Sequence, residues 1–106
     1  ASVTRIDLSY NYLRNSGVIS LAYLLRSLPS LAHLDLGDNH IGDTGAAAVA
    51  ESTSASPSLH TIALGGNRIS DAGMAALAGG LPPNLSTLNC NFNSVGDEGA
   101  AALARA

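Results

Sequence analysis

Two histidines and two aspartates lie close together in the second quarter of the chain, and such side chains can bind metal ions or transfer protons. They are His33, Asp35, Asp38 and His40, and His60 follows further on. A metal centre needs ligands that converge on one point and a surrounding layer of partners that orients them. These candidates are instead spread along one predicted strand and the turn after it. We therefore interpret them as a solvated polar patch and expect no metal site.

Nucleophilic catalysis and nucleotide binding are also disfavoured. A catalytic serine needs a histidine and an aspartate beside it in a pocket, and no serine here has the strained turn typical of such nucleophiles. The segments GDTG and SDAG place glycines at predicted helix starts, as phosphate-binding loops do. Each carries an aspartate where a phosphate would lie, and no lysine follows. The sequence predicts a protein that is not an enzyme and has no cofactor.

Two smaller features have ordinary explanations. We interpret Cys90 as a small buried hydrophobic residue, because a reactive thiol needs exposure and a basic neighbour. The segment Asn84-Leu85-Ser86 matches the pattern of a glycosylation acceptor. No secretory leader accompanies it, so we interpret this match as coincidental.

Composition excludes several classes of protein. The 106 residues suffice for one domain, and 46% of them are hydrophobic. Five basic residues against eight acidic ones give a net charge of −3, which disfavours a nucleic-acid partner. A single cysteine excludes an internal disulfide, and no apolar run reaches the roughly 18 residues of a membrane span. We expect an intracellular protein, in the cytoplasm, that binds neither nucleic acid nor membrane.

An internal repeat organises the chain. Its unit starts at Val3, Leu31, Leu59 and Leu85, so successive starts lie 28, 28 and 26 residues apart. Six columns keep their character in all four copies. They are Val3/Leu31/Leu59/Leu85, Ile6/Leu34/Ile62/Leu88, Leu8/Leu36/Leu64/Cys90, Asn11/Asn39/Asn67/Asn93, Asn15/Asp43/Asp71/Asp97 and Gly17/Gly45/Gly73/Gly99. Self-similarity at a fixed period predicts a solenoid.

The pattern LxxLxLxxNxIxDxGAxxLA resembles the leucine-rich repeat family and, by its 28-residue unit, the ribonuclease-inhibitor-like class. That resemblance implies an α/β fold, a right-handed leucine-rich-repeat solenoid shaped as a horseshoe arc. The parallel sheet would line the concave face and the helices the convex face. Packing agrees, because strands repeat every ~4.8 Å while helices need ~8–10 Å, which puts the helices on the outside of an arc. We expect one domain of four repeats, at about 3–30, 31–58, 59–84 and 85–106.

Each repeat is expected to hold one strand and one helix. The alternating segments predict strands at about 4–8, 32–36, 60–64 and 86–90, with Ile6, Leu34, Ile62 and Leu88 pointing into the core. Helices are expected at about 16–27, 44–52, 72–78 and 98–105. Thr53 and Ser56 stand where the first copy has leucines, so we expect the end of the second helix to be frayed.

Two polar columns have structural interpretations. Asn15, Asp43, Asp71 and Asp97 stand where an N-cap of the following helix belongs, and each cap is worth about 1 kcal/mol. The amides of Asn11, Asn39, Asn67 and Asn93 can satisfy backbone groups exposed by the turn. The family resemblance implies that these asparagines form a hydrogen-bonded ladder between coils.

The outward strand residues differ from copy to copy, which is typical of a recognition surface on a solenoid. Tyr, Arg and Phe are residue types common in protein interfaces. A bland alternative is that the aromatic residues merely cover the rims of the sheet. The residues expected to bind a partner are Arg5, Asp7, Tyr10, Tyr12, His33, Asp35, Asp38, His40, Arg68, Asn89 and Phe92.

The size of this surface limits what four repeats do alone. Four strands of about five residues cover ~320 Å², whereas a standard interface needs ~800 Å² per partner. Val3, Leu8 and Leu103 would face water unless further repeats stack on the ends. We therefore expect this chain to belong to a longer array.

The leading functional hypothesis is a non-catalytic module that binds or scaffolds a protein partner on the concave face. A second is a regulator of a small GTPase, since some intracellular relatives resemble the Ran GTPase-activating proteins; this rests on analogy. A third is the sensor segment of a larger innate-immune receptor. A fourth is a structural spacer inside a larger assembly.

Overall fold

The chain alternates between short strands and helices. The computed structural model describes residues 3–94, Gly96 and Gly99. The strands are β1 (Arg5–Asp7), β2 (His33–Asp35), β3 (Thr61–Ala63) and β4 (Thr87–Asn89). The helices are α1 (Arg14–Leu25), α2 (Asp43–Thr53) and α3 (Asp71–Gly79). The predicted fourth helix, at about 98–105, lies outside the described residues.

All four strands pair in parallel, in chain order, in one sheet. The register aligns Ile6 with Leu34, Leu34 with Ile62, and Ile62 with Leu88. Leu34 and Ile62 are fully buried, whereas Ile6 and Leu88 on the two outer strands are half-buried. The predicted inward column is therefore confirmed, and each fully buried side chain of this size stabilises the fold by roughly 1.5–3 kcal/mol.

The helices stack in the same order as the strands, α1 beside α2 and α2 beside α3. Their buried residues, among them Val18, Leu25, Val49 and Leu77, meet the strand residues in one hydrophobic core. The predicted fold class, an α/β leucine-rich-repeat solenoid with a sheet on one face and helices on the other, is confirmed. The strands comprise three residues each instead of the expected five, and each helix begins one or two residues early.

The end of α2 differs from its prediction. The helix continues through Thr53, where fraying was expected, and both Ser52 and Thr53 are buried. Their hydroxyls donate to the carbonyl oxygen of Val49, at 3.1 and 2.7 Å. Because these bonds satisfy the hydroxyl hydrogens inside the helix, two polar residues can occupy a buried helical face.

The capping prediction is wrong about which helix each side chain caps. Neither Asn15 nor Asp43 caps its own helix; the N-cap residues of α1 and α2 are Leu13 and Gly42, and neither makes a side-chain capping bond. Asn15 lies in α1, and its Oδ1 accepts hydrogen bonds from the backbone N–H groups of Gly42 and Gly45, at 2.8 and 2.9 Å. The side chain of one repeat thus caps the helix of the next.

The following repeats use the same arrangement. Asp43 Oδ1 accepts from the N–H groups of Ser70 and Gly73, at 2.7 and 3.0 Å, and its Oδ2 accepts from the Ser70 hydroxyl at 2.6 Å. Asp71 Oδ1 accepts from the N–H of Gly96 at 2.6 Å. These bonds hold the Asp43 carboxylate ionised, so its pKa lies below the ordinary value of 3.8. Asp97 lies outside the described residues.

The recurrence of glycine at this position of the repeat follows from this geometry. A Cβ on Gly45 would lie 2.7 Å from Asn15 Oδ1, and a Cβ on Gly73 would lie 2.5 Å from Asp43 Oδ1. Only glycine leaves room for the capping oxygen to reach the third residue of the helix. The column therefore brings consecutive repeats close together.

Candidate functional site on the sheet face

The asparagine column separates the core from the surface at the end of each strand. Asn67 Oδ1 accepts from the N–H groups of Asn39 and Ile41 in the preceding repeat, both at 3.0 Å. Its Nδ2 donates to the carbonyl oxygens of Leu36 and Leu64, at 3.1 and 2.9 Å. Both Asn39 and Asn67 are buried. These bonds form a ladder between repeats, as the resemblance implied, and they fix the turns on which the exposed residues lie.

We call the outward side of β1–β4, together with the turns that follow them, the sheet face. One of its rows is formed by Asp7, Asp35, Ala63 and Asn89. The three polar members each accept a hydrogen bond from the backbone N–H two residues on, at 3.0–3.1 Å. They therefore help to shape the turn and are not wholly free for a partner. The bonds that Ser9 donates to Asp7 lower the pKa of that carboxyl.

The residue before each ladder asparagine has a left-handed backbone. The φ values are 60° at Tyr10, 54° at Asp38, 70° at Gly66 and 58° at Phe92. This conformation costs roughly 1–2 kcal/mol for residues other than glycine. It turns the side chains away from the core, so that Tyr10 is 76% exposed and Phe92 is 90% exposed.

A second row lies on the other side of the ladder. Tyr12 and His40 also have positive φ, and their rings stack with centroids 4.7 Å apart and planes 18° apart. Tyr12 is 68% exposed. Arg68 follows in the same row and is exposed. The row thus adds an aromatic pair and a cation to the rim of the sheet face.

Two open depressions lie on the sheet face, and they share Asp38 and Gly66. The first, of about 290 Å³, lies between Asp35 and Phe92 over the glycines of the third repeat. The second, of about 250 Å³, is lined also by Tyr10, Tyr12 and His40. The third repeat has no large side chain at this point, and the neighbouring repeats form the walls.

All eleven residues predicted to bind a partner reach solvent, although His33, Asp35 and His40 are partly buried. The depressions bring seven of them together, namely Tyr10, Tyr12, Asp35, Asp38, His40, Asn89 and Phe92. Arg5, Asp7, His33 and Arg68 line neither depression. Whether any of the eleven contacts a partner stays a prediction.

Sequence reasoning missed the small residues whose lack of bulk leaves room for the depressions. Ala63, Gly65 and Gly66 line the first depression. The signal was present in the aligned copies, since the column that holds Tyr10, Asp38 and Phe92 holds a glycine in the third copy. An absent side chain shapes a surface only when its neighbours are known, and these belong to other repeats.

The helical face carries a second group of exposed apolar residues. Ile19, Tyr23 and Leu24 of α1 are exposed. The guanidinium of Arg26 lies 6.0 Å from the centre of the Tyr23 ring and pairs with Glu51 of α2 at 3.1 Å. Such an exposed ion pair contributes little to stability. These residues were not among the predicted site residues.

Other chemistry finds little support in the described part of the chain. Its His, Cys, Asp and Glu residues form no group of three or more that could hold a metal ion. Burial raises the pKa of the Cys90 thiol, which disfavours the reactive thiolate. No helix among the described residues is long and apolar enough to cross a bilayer.

Parallel strands, stacked helices and a ladder of asparagines define a solenoid built from short sequence repeats. A family model described as "Leucine Rich repeat" matches residues 1–22, 27–50, 55–78 and 82–104. The chain belongs to the leucine-rich repeat family. No curated protein matches its sequence.

Among solved structures, the chain is similar to leiomodin-1 actin-binding site 2. The TM-score is 0.83 at 18% sequence identity, and the match covers 96% of this chain. It covers 62% of the leiomodin-1 chain, so this chain spans less than two thirds of that structure. At this identity the likeness concerns the fold.

Proposed function

We propose that this chain is a protein-binding module that uses its sheet face and performs no catalysis. The observation that carries the proposal is the exposure of three aromatic side chains, Tyr10, Tyr12 and Phe92, beside the hydrogen-bonded asparagine ladder. Exposed aromatic residues on a preorganised scaffold bury a large area at little entropic cost. Membership in a repeat family whose coils vary outside the core supports the same function.

The structural relative suggests one partner to try. Leiomodin-1 uses a leucine-rich repeat fold at a site named for actin binding, so purified actin is a reasonable first probe. Further partners can be collected by proximity labelling in cells and then measured one at a time as purified proteins.

The test compares two variants of matched size. The sheet-face variant carries Tyr10→Ala, Tyr12→Ala and Phe92→Ala, and the helical-face control carries Ile19→Ala, Tyr23→Ala and Leu24→Ala. Biolayer interferometry should show at least a tenfold loss of affinity in the sheet-face variant and little change in the control. Loss of binding in the control alone would refute the proposal.

We also propose that further repeats stack before Val3. Val3 is 43% exposed, whereas Leu31, its counterpart in the second repeat, is 1% exposed because the first repeat covers it. Asn11 Oδ1 accepts no hydrogen bond from the described residues, although Asn39 Oδ1 accepts two. Attaching a copy of residues 31–58 before Val3 should raise the thermal midpoint, and an unchanged midpoint would contradict the proposal.

A further inference from the structure

The centre of the sheet face is occupied by one carboxylate. The Asp38 side chain lies over Gly66 of the next repeat, so closely that a Cβ on Gly66 would collide with Oδ1 and Cγ of the carboxylate. Gly66 also has a φ of 70°, so this position favours glycine both because a Cβ has no room and because the backbone is left-handed. The result is a carboxylate that belongs to both depressions at once.

This carboxylate has no partner among the residues that the structure describes. The one ion pair there joins Arg26 and Glu51 on the helical face. The side chain of Asp38 accepts no hydrogen bond from the described residues, whereas Asp35 and Asp7 each accept at least one. An ionised carboxylate offers about four acceptor positions. Asp38 therefore presents unused acceptor capacity to the two open depressions that it lines.

Aromatic side chains stand on both sides of this acceptor. Tyr10 lines the depression on one side and Phe92 the depression on the other. Among the described residues that line them, His40 is the one side chain that can carry a positive charge, and its ring stacks on Tyr12. A carboxylate between aromatic rings suits a planar cation, which can donate charge-assisted hydrogen bonds to the carboxylate and stack on the rings at the same time.

We infer that Asp38 anchors an arginine side chain of the protein partner. The guanidinium of that arginine would lie between Tyr10 and Phe92. The inference rests on the proposed function of the sheet face and names the chemistry of its partner. Arginine fits better than lysine because a guanidinium can pair bidentately with a carboxylate and also stack on rings. The depressions are open and smaller than the ~300–1,000 Å³ typical of small-molecule sites, so a single protruding side chain suits them.

The experiment uses a defined peptide as the probe. N-acetyl-Gly-Arg-Gly-amide is titrated into ¹⁵N-labelled protein, and the amide signals of Gly65, Gly66 and Asn91 are followed by NMR. The matched peptide contains citrulline, which has the shape of arginine without its charge. The arginine peptide should shift these three signals, and the citrulline peptide should bind about tenfold more weakly.

Two variants locate the effect. Asp38→Asn should weaken binding of the arginine peptide about tenfold, whereas Glu51→Gln, which removes one carboxylate from the helical face, should leave it unchanged. The spectra report at the same time that each variant is folded. Equal binding of the two peptides, unchanged binding in Asp38→Asn, or no shift with the arginine peptide up to its solubility would each overturn the inference.

The two proposals fail in different ways. If the triple aromatic variant loses its protein partner while Asp38→Asn retains both the partner and the peptide, the arginine site is wrong and the binding face stands. If the arginine peptide binds at Asp38 but the partner's affinity is unaffected by the aromatic variant, the site stands and the proposed function is wrong.

Discussion

In the turns of the second and third repeats, the ladder asparagine and the residues next to it in sequence differ in burial. Asn39 and Asn67 are buried and bond to two repeats each, whereas the residues that flank them reach solvent, namely Asp38, His40, Gly66 and Arg68. The asparagine is the same in all four copies because its bonds are to backbone groups, which every copy has. The flanking side chains bond to little of the fold, so they can differ without harm to it.

The largest loss of stability is expected at Asn67, a buried asparagine of the ladder. Asn67→Ala removes bonds that its amide makes to backbone groups of two repeats and leaves buried polar groups without partners. We expect a loss of about 3 kcal/mol in the free energy of unfolding. Asn11→Ala, whose amide donates only within its own turn among the described residues, should cost about 1 kcal/mol. Urea unfolding of both variants measures the contrast, and equal losses would break the comparison.

A smaller loss of stability is expected at Gly66, which adjoins the buried Asn67 and also lines the surface depressions. Gly66→Ala places a Cβ at positive φ and against the Asp38 carboxylate, so we expect a cost of about 1–2 kcal/mol. Gly79→Ala is the matched control, because a Cβ there meets nothing within 4 Å. That variant should be neutral or gain up to about 1 kcal/mol. A Gly66 variant as stable as the wild type in thermal unfolding would contradict the strained geometry.

The cap that Asp43 provides to the next helix should depend on pH. Its pKa is lowered in the folded chain, so its charge contributes stability above the unfolded pKa of about 3.8, and this contribution is lost as the pH falls through the folded value. Asp43→Asn should cost about 1 kcal/mol at pH 7, and the difference from wild type should vanish at low pH. Urea unfolding of both proteins between pH 2 and pH 7 tests this. A pH-independent difference would exclude the charge as its cause.

The smallest effect is expected on the outer side, at Tyr12. Tyr12→Ala removes the stack on His40 but no hydrogen bond to the core. The free energy of unfolding should change by no more than about 0.5 kcal/mol. A loss comparable with that of Asn67→Ala would mean that the outer row supports the fold after all.

Sequence alone predicted the repeated part of this molecule well. The columns that hold Ile6, Leu34, Ile62 and Leu88 give the strands and their order, because side chains buried in every copy must stack. The asparagine ladder followed from the family resemblance. These predictions succeeded because they concern features that recur in every copy of the repeat, so that each copy supports the interpretation of the others.

The errors concern contacts between copies. Asn15 and Asp43 stand at the proper spacing to cap their own helices, and the sequence cannot show that their oxygens reach across to the next one. The left-handed backbone at Tyr10 and Phe92 was also missed, since aromatic residues rarely adopt it. Tyr10 and Phe92 line the depressions around Asp38, so the residues of the site could be named from the sequence but their arrangement could not.

The helix caps and the asparagine ladder couple neighbouring repeats in opposite directions along the chain. When the coil that contains Asp43 melts, the helix beginning near Ser70 loses the acceptor for its free N–H groups, and when the coil that contains Asn67 melts, the N–H groups of Asn39 and Ile41 lose theirs. Unfolding of one coil should therefore destabilise the neighbour on either side of it. A solenoid coupled in both directions should lose its repeats together and not one after another from a single end.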